Sequence, residues 1–265
     1  MFGMIKLSQP QMAAHLFKDW EETMIWSCLQ GVMGKIYADD SVCPRCAMAL
    51  LGDFGFLAGR PDEELLHFWK QQNPGAFCIF VPQNENWEIK IRQVFSDAAT
   101  RVTRYAIRKE PNGFDRRVLE KFSEALPSGY VLQNIEESLF DQCRQNPWSR
   151  DLVSQYADYA AFERLGLGIV AVKDGRIVSG ASAYSRYREG IEIEVDTAPA
   201  YRRKGLACSC SAKLILICLD RGLYPSWDAQ NRSSVALAEK LGYHRGDPYF
   251  AYEVRNFAAD GLEAD

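Results

Sequence analysis

The sequence predicts an α/β (α+β) fold: an N-terminal α/β domain, then a domain built on a mixed, mostly antiparallel twisted sheet flanked by helices. Three patterns carry this expectation. Between Ile169 and Thr197 three β-type runs follow one another through tight turns, as in an antiparallel meander. A long apolar run from about Gly205 to Arg221 then reads as a helix crossing to a short strand, Tyr224 to Ala229, placed in parallel beside Ile191–Thr197 by the right-handed crossover rule. Ahead of these, helix-type and strand-type patterns alternate over the first hundred or so residues.

In chain order, Met12, Leu16, Trp20 and Met24 recur every four residues, with Phe17 and Ile25 widening the stripe, so Gln11 to Leu29 is expected to be one amphipathic helix. Strand-like runs follow at Val32 to Ala38 and Cys46 to Ala58. Pro61, Asp62, Glu63 and Glu64 start a helix, with proline early and acids in the first turn. Leu65, Leu66, Phe68 and Trp69 give that helix a face to bury. Ala76 to Val81 reads as a buried strand, Asn86 to Phe95 as a helix and Arg101 to Arg108 as a strand; Pro111, Asn112 and Gly113 make a turn. Short helices and a strand near Tyr130 to Gln133 fill the stretch to about Gln145. Asp151 to Leu165 is expected to be a helix. Ile169–Val172 and Ile177–Tyr184 flank an Asp174-Gly175 hairpin turn, Gly190 leads into Ile191–Thr197, and Gly222 stops the long helix. A helix ending near Lys240 and a strand from Tyr249 to Val254 complete the second domain. The junction is marked by no linker composition; the expected division is 1–125, 126–257 and a disordered tail at 258–265.

Hydrophobic residues make up 47% of the 265 and charged residues 25%, the balance of a globular protein. A net charge of −4 argues against a general nucleic-acid binder, which needs a broad basic surface. No basic segment leads into an apolar run near Met1, and no apolar stretch is long enough to span a bilayer, so neither signal peptide nor membrane partner is expected. Eight cysteines are too sparse for a disulfide scaffold, and the expected location is cytoplasmic. Cys43 and Cys46 form a single CxxC with no second pair at zinc spacing, so no metal is expected.

The informative segment is Ile191 to Tyr243. Arg202, Arg203, Lys204, Gly205, Leu206 and Ala207 stand between a strand and a helix. The first amides of a helix lack internal partners, Gly205 lets the backbone turn close to a ligand, and three cations add to a helix end that already favours anions. This is an anion site with room for phosphate. On the preceding strand Ile191, Ile193 and Val195 alternate with Glu192, Glu194 and Asp196, so one face packs and the other carries carboxylates. A solvated strand face would look the same.

Pro199-x-x-Arg202-x-x-Gly205-x-Ala207 resembles the acyl-CoA pyrophosphate loop of the GNAT superfamily of N-acyltransferases. Asn231 followed by Ala236 to Tyr243 resembles that superfamily's second motif. Trp227, Asp228, Ala229, Asn231, Ser233 and Ser234 are most similar to a bacterial GNAT acetyltransferase branch related to zwittermicin-resistance proteins. The resemblance is strong from about Gly166 to Val254 and weaker before. It implies acetyl-CoA as co-substrate, with pantetheine entering between two splayed strands and pairing with the backbone of Val195, Asp196 and Thr197. It implies Asn231 on the pantetheine arm, with Ser234 as a neighbour; Asn231 would serve equally as a helix cap. It places Glu192 or Glu194 as general base, direct or through water, and an amide near Val195 or Asp196 as oxyanion donor. Many members carry a tyrosine as acid for the thiolate where this chain has Ala238, leaving Tyr243, Tyr249, Tyr252 or solvent. The implied reaction is acetyl transfer to a small-molecule amine. A non-catalytic acyl-CoA sensor is the alternative, and the N-terminal domain, which lacks such a loop, would suit a degenerate copy of the same fold.

Overall fold

The computed structural model describes residues 4–255 and Phe257; the tail expected at 258–265 lies outside them. The chain divides into two compact units, Tyr105–Asp247 and the residues on either side of it. The compact units meet in the chain at Tyr105, where the expected junction lay near residue 125, and the residues from Pro248 onward belong to the first unit.

The first unit opens with β1 (Ile5–Lys6), a 3-10 helix (Pro10–Phe17), α1 (Thr23–Gln30), β2 (Lys35–Ala38), β3 (Cys46–Leu51) and β4 (Phe54–Gly59). Then come α2 (Glu63–Gln72), β5 (Cys78–Pro82), α3 (Glu85–Phe95) and β6 (Ala99–Ile107), whose end crosses into the second unit. The single helix expected over Gln11–Leu29 is broken. Asp19 takes a left-handed φ of 64°, and Glu22, extended, caps α1 by accepting from the Met24 amide at 3.2 Å. The run Cys46–Ala58 is two strands, hinged at Gly52 and Asp53; both are buried on both faces, which hides the turn in an apolar pattern. β1 to β4 pair antiparallel in sequence order and β4 pairs in parallel with β5, α2 making the crossover. The core gathers Leu57, Trp69, Phe80, Trp87 and Phe95. Tyr252–Val254 of β13 (Arg245–Val254) pair with β5 here, so the end of this last strand belongs to the first unit, while its start, Arg245–Asp247, belongs to the second.

The second unit runs through α4 (Arg116–Glu124), β7 (Val131–Asn134), α5 (Glu137–Gln145), α6 (Tyr159–Leu165), β8 (Gly168–Lys173), β9 (Arg176–Tyr187) and β10 (Gly190–Thr197). It continues with α7 (Leu206–Asp220), β11 (Tyr224–Ser226), β12 (Asp228–Ala229) and α8 (Arg232–Lys240). Asp174 and Gly175, at φ 48° and 73°, make the expected hairpin turn between β8 and β9. The helix expected over Asp151–Leu165 shrinks to a 3-10 turn and α6. Between them Tyr156 is buried with its hydroxyl donating to the Ala183 carbonyl at 2.8 Å, and Asp158 caps α6. The four-residue apolar spacing there reflects a folded-back chain packing inward. β7, β8, β9 and β10 form an antiparallel meander, and β11 joins β10 in parallel after α7. The two units thus share one plan: an antiparallel meander, a crossover helix and a parallel strand.

α7 is apolar nearly all round, which marks a helix buried on most sides. Cys210, Ala212, Leu214, Ile215 and Cys218 are fully buried against Ile169, Ala181, Ile191 and Ile193 of the meander and Leu119 of α4. Each fully buried Leu or Ile contributes about 1.5–3 kcal/mol, so this helix is the second unit's chief anchor and fixes what lies at its N-terminus.

Candidate active site

The site begins where two strands part. β10 and β11 pair only at Gly190↔Tyr224, Ile191↔Pro225 and Glu192↔Ser226. Trp227 then leaves the sheet, and β12 pairs instead with Ala106 and Tyr105 of β6. The expected strand Tyr224–Ala229 is therefore two strands with different partners. Trp227 is buried, and its Nε1 donates to Ser234 Oγ at 3.0 Å. Beyond Glu192, β10 keeps β9 as partner on one side. The Ala198 amide donates to the Val178 carbonyl, so by alternation the amides of Glu194 and Asp196 face β9 and those of Val195 and Thr197 face the other edge. On that edge the Val195 amide donates to Glu194 Oε1 at 3.2 Å and the Thr197 amide to Asp196 Oδ1 at 2.8 Å. Side-chain carboxylates stand where a neighbouring strand would supply carbonyls.

β10 runs out into the basic loop. A 3-10 turn at Pro199–Tyr201 leads to Arg202, whose Nε donates to the Thr197 carbonyl at 3.2 Å and ties the loop to the strand. Arg203 and Gly205 both take left-handed φ, 64° and 83°, a curl that turns successive amides to one side. The Ser209 amide donates to the Gly205 carbonyl at 3.1 Å, which leaves the earlier amides of α7 outside the helix ladder. Arg202, Arg203, Lys204 and Gly205 are exposed, and a Cβ at Gly205 would meet no atom within 4 Å. Leu206 points into the core and Ala207 is half-buried, so Leu206 offers this loop its amide alone.

The three carboxylates differ. Glu192 is 4% exposed and sits at the last paired position before the strands part; Glu194 and Asp196 are half-buried along the open edge. β9 carries one extra residue here: Glu192 faces Ser185 but Ile193 faces Ala183, so Tyr184 is the inserted residue of a β-bulge. Burial pushes the Tyr187 hydroxyl above its ordinary value, and the Glu192 charge pushes the same way. Tyr224 is raised to about 12 by burial, partly offset by its bond from the Glu110 amide, with Glu192 again adding to the rise. Burial also raises the Asp196 carboxyl, against the opposing pull of the Thr197 amide and the Arg202 charge.

Of the tyrosines considered as acids, Tyr243 is buried with its hydroxyl donating to the Pro225 carbonyl at 2.6 Å, and burial drives it well above the ordinary range. Tyr249 accepts from Arg104 and Tyr252 donates to Glu88, all in the first unit. Ala238 is fully buried in the core. Asn231 caps α8, its Oδ1 accepting from the Ser234 amide at 3.0 Å. Burial raises Cys46 and Cys210 to about 12 and lifts Cys208, which keeps these thiols protonated. Among the described residues, no group of three or more His, Cys, Asp and Glu is arranged to hold a metal, and no helix is long and apolar enough to cross a membrane. Sequence reasoning missed Ser185, Tyr187 and Ser226 around Glu192 and the Trp227–Ser234 bond. Only the strand register and the parting at Trp227 bring these side chains together.

A meander whose fourth strand parts from its parallel neighbour, followed by a basic helix start, defines an acyltransferase fold. The family model for GNAT acetyltransferase matches residues 14–252, and the chain belongs to this family. It is an acyltransferase enzyme. The chain is 25% identical over 248 residues to the uncharacterized N-acetyltransferase YdfB of Bacillus subtilis strain 168, covering 87% of this chain and 89% of that one. It is 49% identical to a crystal structure of a GCN5-related N-acetyltransferase-like protein from Streptococcus suis 89/1591, with a TM-score of 0.88 over 93% of this chain and 98% of that one. A putative GNAT-family acetyltransferase from Novosphingobium aromaticivorans, 18% identical, shares the fold at a TM-score of 0.52 over 82% of this chain and 90% of that one.

Proposed function

We propose that this chain is an acetyl-CoA-dependent N-acetyltransferase that transfers an acetyl group to an amine of a small molecule by direct attack in a ternary complex. The observation that carries the reading is the parting of β10 and β11 directly after the Glu192–Ser226 pair. It leaves a strand edge with outward amides at Val195 and Thr197, and that edge ends on the exposed loop before α7. Pantetheine is a chain of amides and suits such an edge, one of its carbonyls replacing the Asp196 carboxylate at the Thr197 amide while the Val195 amide is left for the thioester oxygen. A pyrophosphate suits the amides of Lys204, Gly205, Leu206 and Ala207, with Arg202, Arg203 and Lys204 as counter-charge and open space over Gly205. Asn231 keeps α8 in place and Ser234 holds Trp227 clear of the gap.

With the pantetheine along β10, the thioester lies at the apex beside Glu192, which takes the role of general base. Glu192 removes a proton from the amine; the nitrogen lone pair then attacks the thioester carbonyl carbon. The Val195 amide donates to the oxyanion, since the Asp196 amide is turned toward β9. Collapse breaks the C–S bond and releases a thiolate, and the second excess proton of the former ammonium leaves the nitrogen for solvent as the amide forms. A thiol of ordinary pKa near 8.5 leaves readily as its anion, so solvent protonates it and no phenol is required. Holding both substrates in line supplies much of the rate without a covalent enzyme intermediate.

The test is a titration with CoA followed by a screen of amines for thiol release from acetyl-CoA. Binding and turnover on at least one amine are expected. Absence of CoA binding would remove the reading. Tight binding with no turnover on any amine would favour a sensor.

A further inference from the structure

Two serines flank the Glu192 carboxylate. Ser185 is its antiparallel register partner on β9 and Ser226 its parallel partner on β11, so all three side chains leave the same face of the sheet side by side. Register partners on neighbouring strands hold their Cβ atoms about 4.5–5.5 Å apart, within reach of a rotated hydroxyl. Both serines are buried, at 0% and 1% exposure, and neither Oγ has a hydrogen-bond partner among the described residues. Buried serines nearby are satisfied: Ser179 bonds Thr197 and the Asp196 carbonyl, and Ser182 donates to the Leu152 carbonyl. The other unsatisfied buried serine, Ser211, lies within α7 and is not a strand-register partner of Glu192. A buried hydroxyl left without a partner destabilises a fold, and alanine at the same strand position would avoid the cost. Two such groups, one on each side of a single carboxylate at the apex of the strand gap, break a local rule at the place where function is expected to break it.

We propose that Ser185 and Ser226 are positioning residues for the transfer, donating their hydroxyl hydrogens to the Glu192 carboxylate, directly or through one water. They hold the carboxylate ionised and aimed into the gap while it takes the amine proton. Neither serine loses a proton: the proton moves from the amine nitrogen to Glu192, and the two O–H bonds persist throughout. The inference rests on Glu192 as the base, as proposed above.

The experiment uses Ser185→Ala, Ser226→Ala and Glu192→Gln in the full chain, singly and combined. The readouts are melting temperature, CoA affinity and thiol release from acetyl-CoA, measured with a panel of primary amines and, without amine, as slower hydrolysis by water. Each serine variant is expected to melt no lower than the parent, to bind CoA within twofold and to lose at least tenfold in kcat. In the Glu192→Gln background the serine changes should cost nothing further, because the group they serve is gone. Serine variants that keep kcat within twofold while Glu192→Gln abolishes it would overturn this inference and leave the base intact. So would a serine loss undiminished in the Glu192→Gln background. A Glu192→Gln enzyme with unchanged kcat would instead remove the base itself.

Discussion

At the scale of the residue, Glu192, Glu194 and Asp196 look equivalent in the sequence and are not equivalent in the fold. Glu192 is buried at the apex among Ser185, Tyr187, Tyr224 and Ser226, whereas Glu194 and Asp196 cap the amides of their own successors on an open edge. Glu192→Gln is therefore expected to lower kcat by about 100-fold or more, the usual worth of a general base, with CoA affinity kept within twofold. Glu194→Gln should cost less than Glu192→Gln in the same thiol-release assay. Asp196 adds a pH signature. Its carboxyl is raised above its ordinary value of 3.8, chiefly by burial, so its ionised form is disfavoured in the folded state. The native state binds the proton more readily than the unfolded state, and stability falls as pH rises through the interval between 3.8 and the raised value. Asp196→Asn keeps an oxygen for the Thr197 amide and removes the charge. It is expected to raise the melting temperature at pH 7, with the gain fading as the pH falls through that same interval and lost below 3.8. A gain independent of pH would show that desolvation of this carboxylate is not its source.

At the scale of the element, the helix starts divide the labour. The N-terminus of α7 has no side-chain cap; it begins at a left-handed Gly205 on an exposed turn, so its amides remain for a ligand. α8 is closed by Asn231. Gly205→Glu places a side chain and a negative charge on the loop and is expected to weaken CoA binding more than tenfold with the far-ultraviolet circular dichroism unchanged. Gly205→Asn, which tolerates left-handed φ, should bind CoA far better than the glutamate variant. Equal loss in the two variants would point to backbone distortion rather than to a phosphate contact. Asn231→Ala removes a cap and should cost about 1 kcal/mol in denaturant unfolding. The first unit shows the same plan without the site. β4 and β5 stay paired from Phe54↔Ile79 to Leu57↔Pro82, and the Gln83 amide extends the pairing to the Leu57 carbonyl. α2 is capped by Asp62 and carries Glu63 and Glu64 in its first turn, charges that would repel a phosphate such as the one proposed at the start of α7.

At the scale of the molecule, the division of the chain decides which pieces fold. Phe114, Leu119 and Phe122 pack into the core around α7, and β12 needs Tyr105 and Ala106 as strand partners. A fragment of residues 126–257 omits all of these. It also carries Tyr252–Val254 without β5, their partner. Such a fragment is expected to be insoluble or to lack a cooperative melt, while the full chain melts cooperatively. A cooperative, CoA-binding fragment of residues 126–257 would show that the earlier division is the physical one.

The sequence by itself determined the meander, its Asp174-Gly175 turn, the buried crossover helix, the basic loop at its head and the face of three carboxylates. Each is written in local periodicity, turn chemistry or a short motif. The tertiary structure decided the rest. The strand expected over Tyr224–Ala229 divides because β12 finds β6, a partner far earlier in the chain, while Trp227 turns to Ser234 on the next helix. Glu192 is distinguished from Glu194 by an extra residue on β9 and by where β11 ends, neither visible in β10's own pattern. The closing strand of the first unit comes from the far end of the chain because strand pairing depends on which open edge is available, and no local sequence pattern encodes that edge.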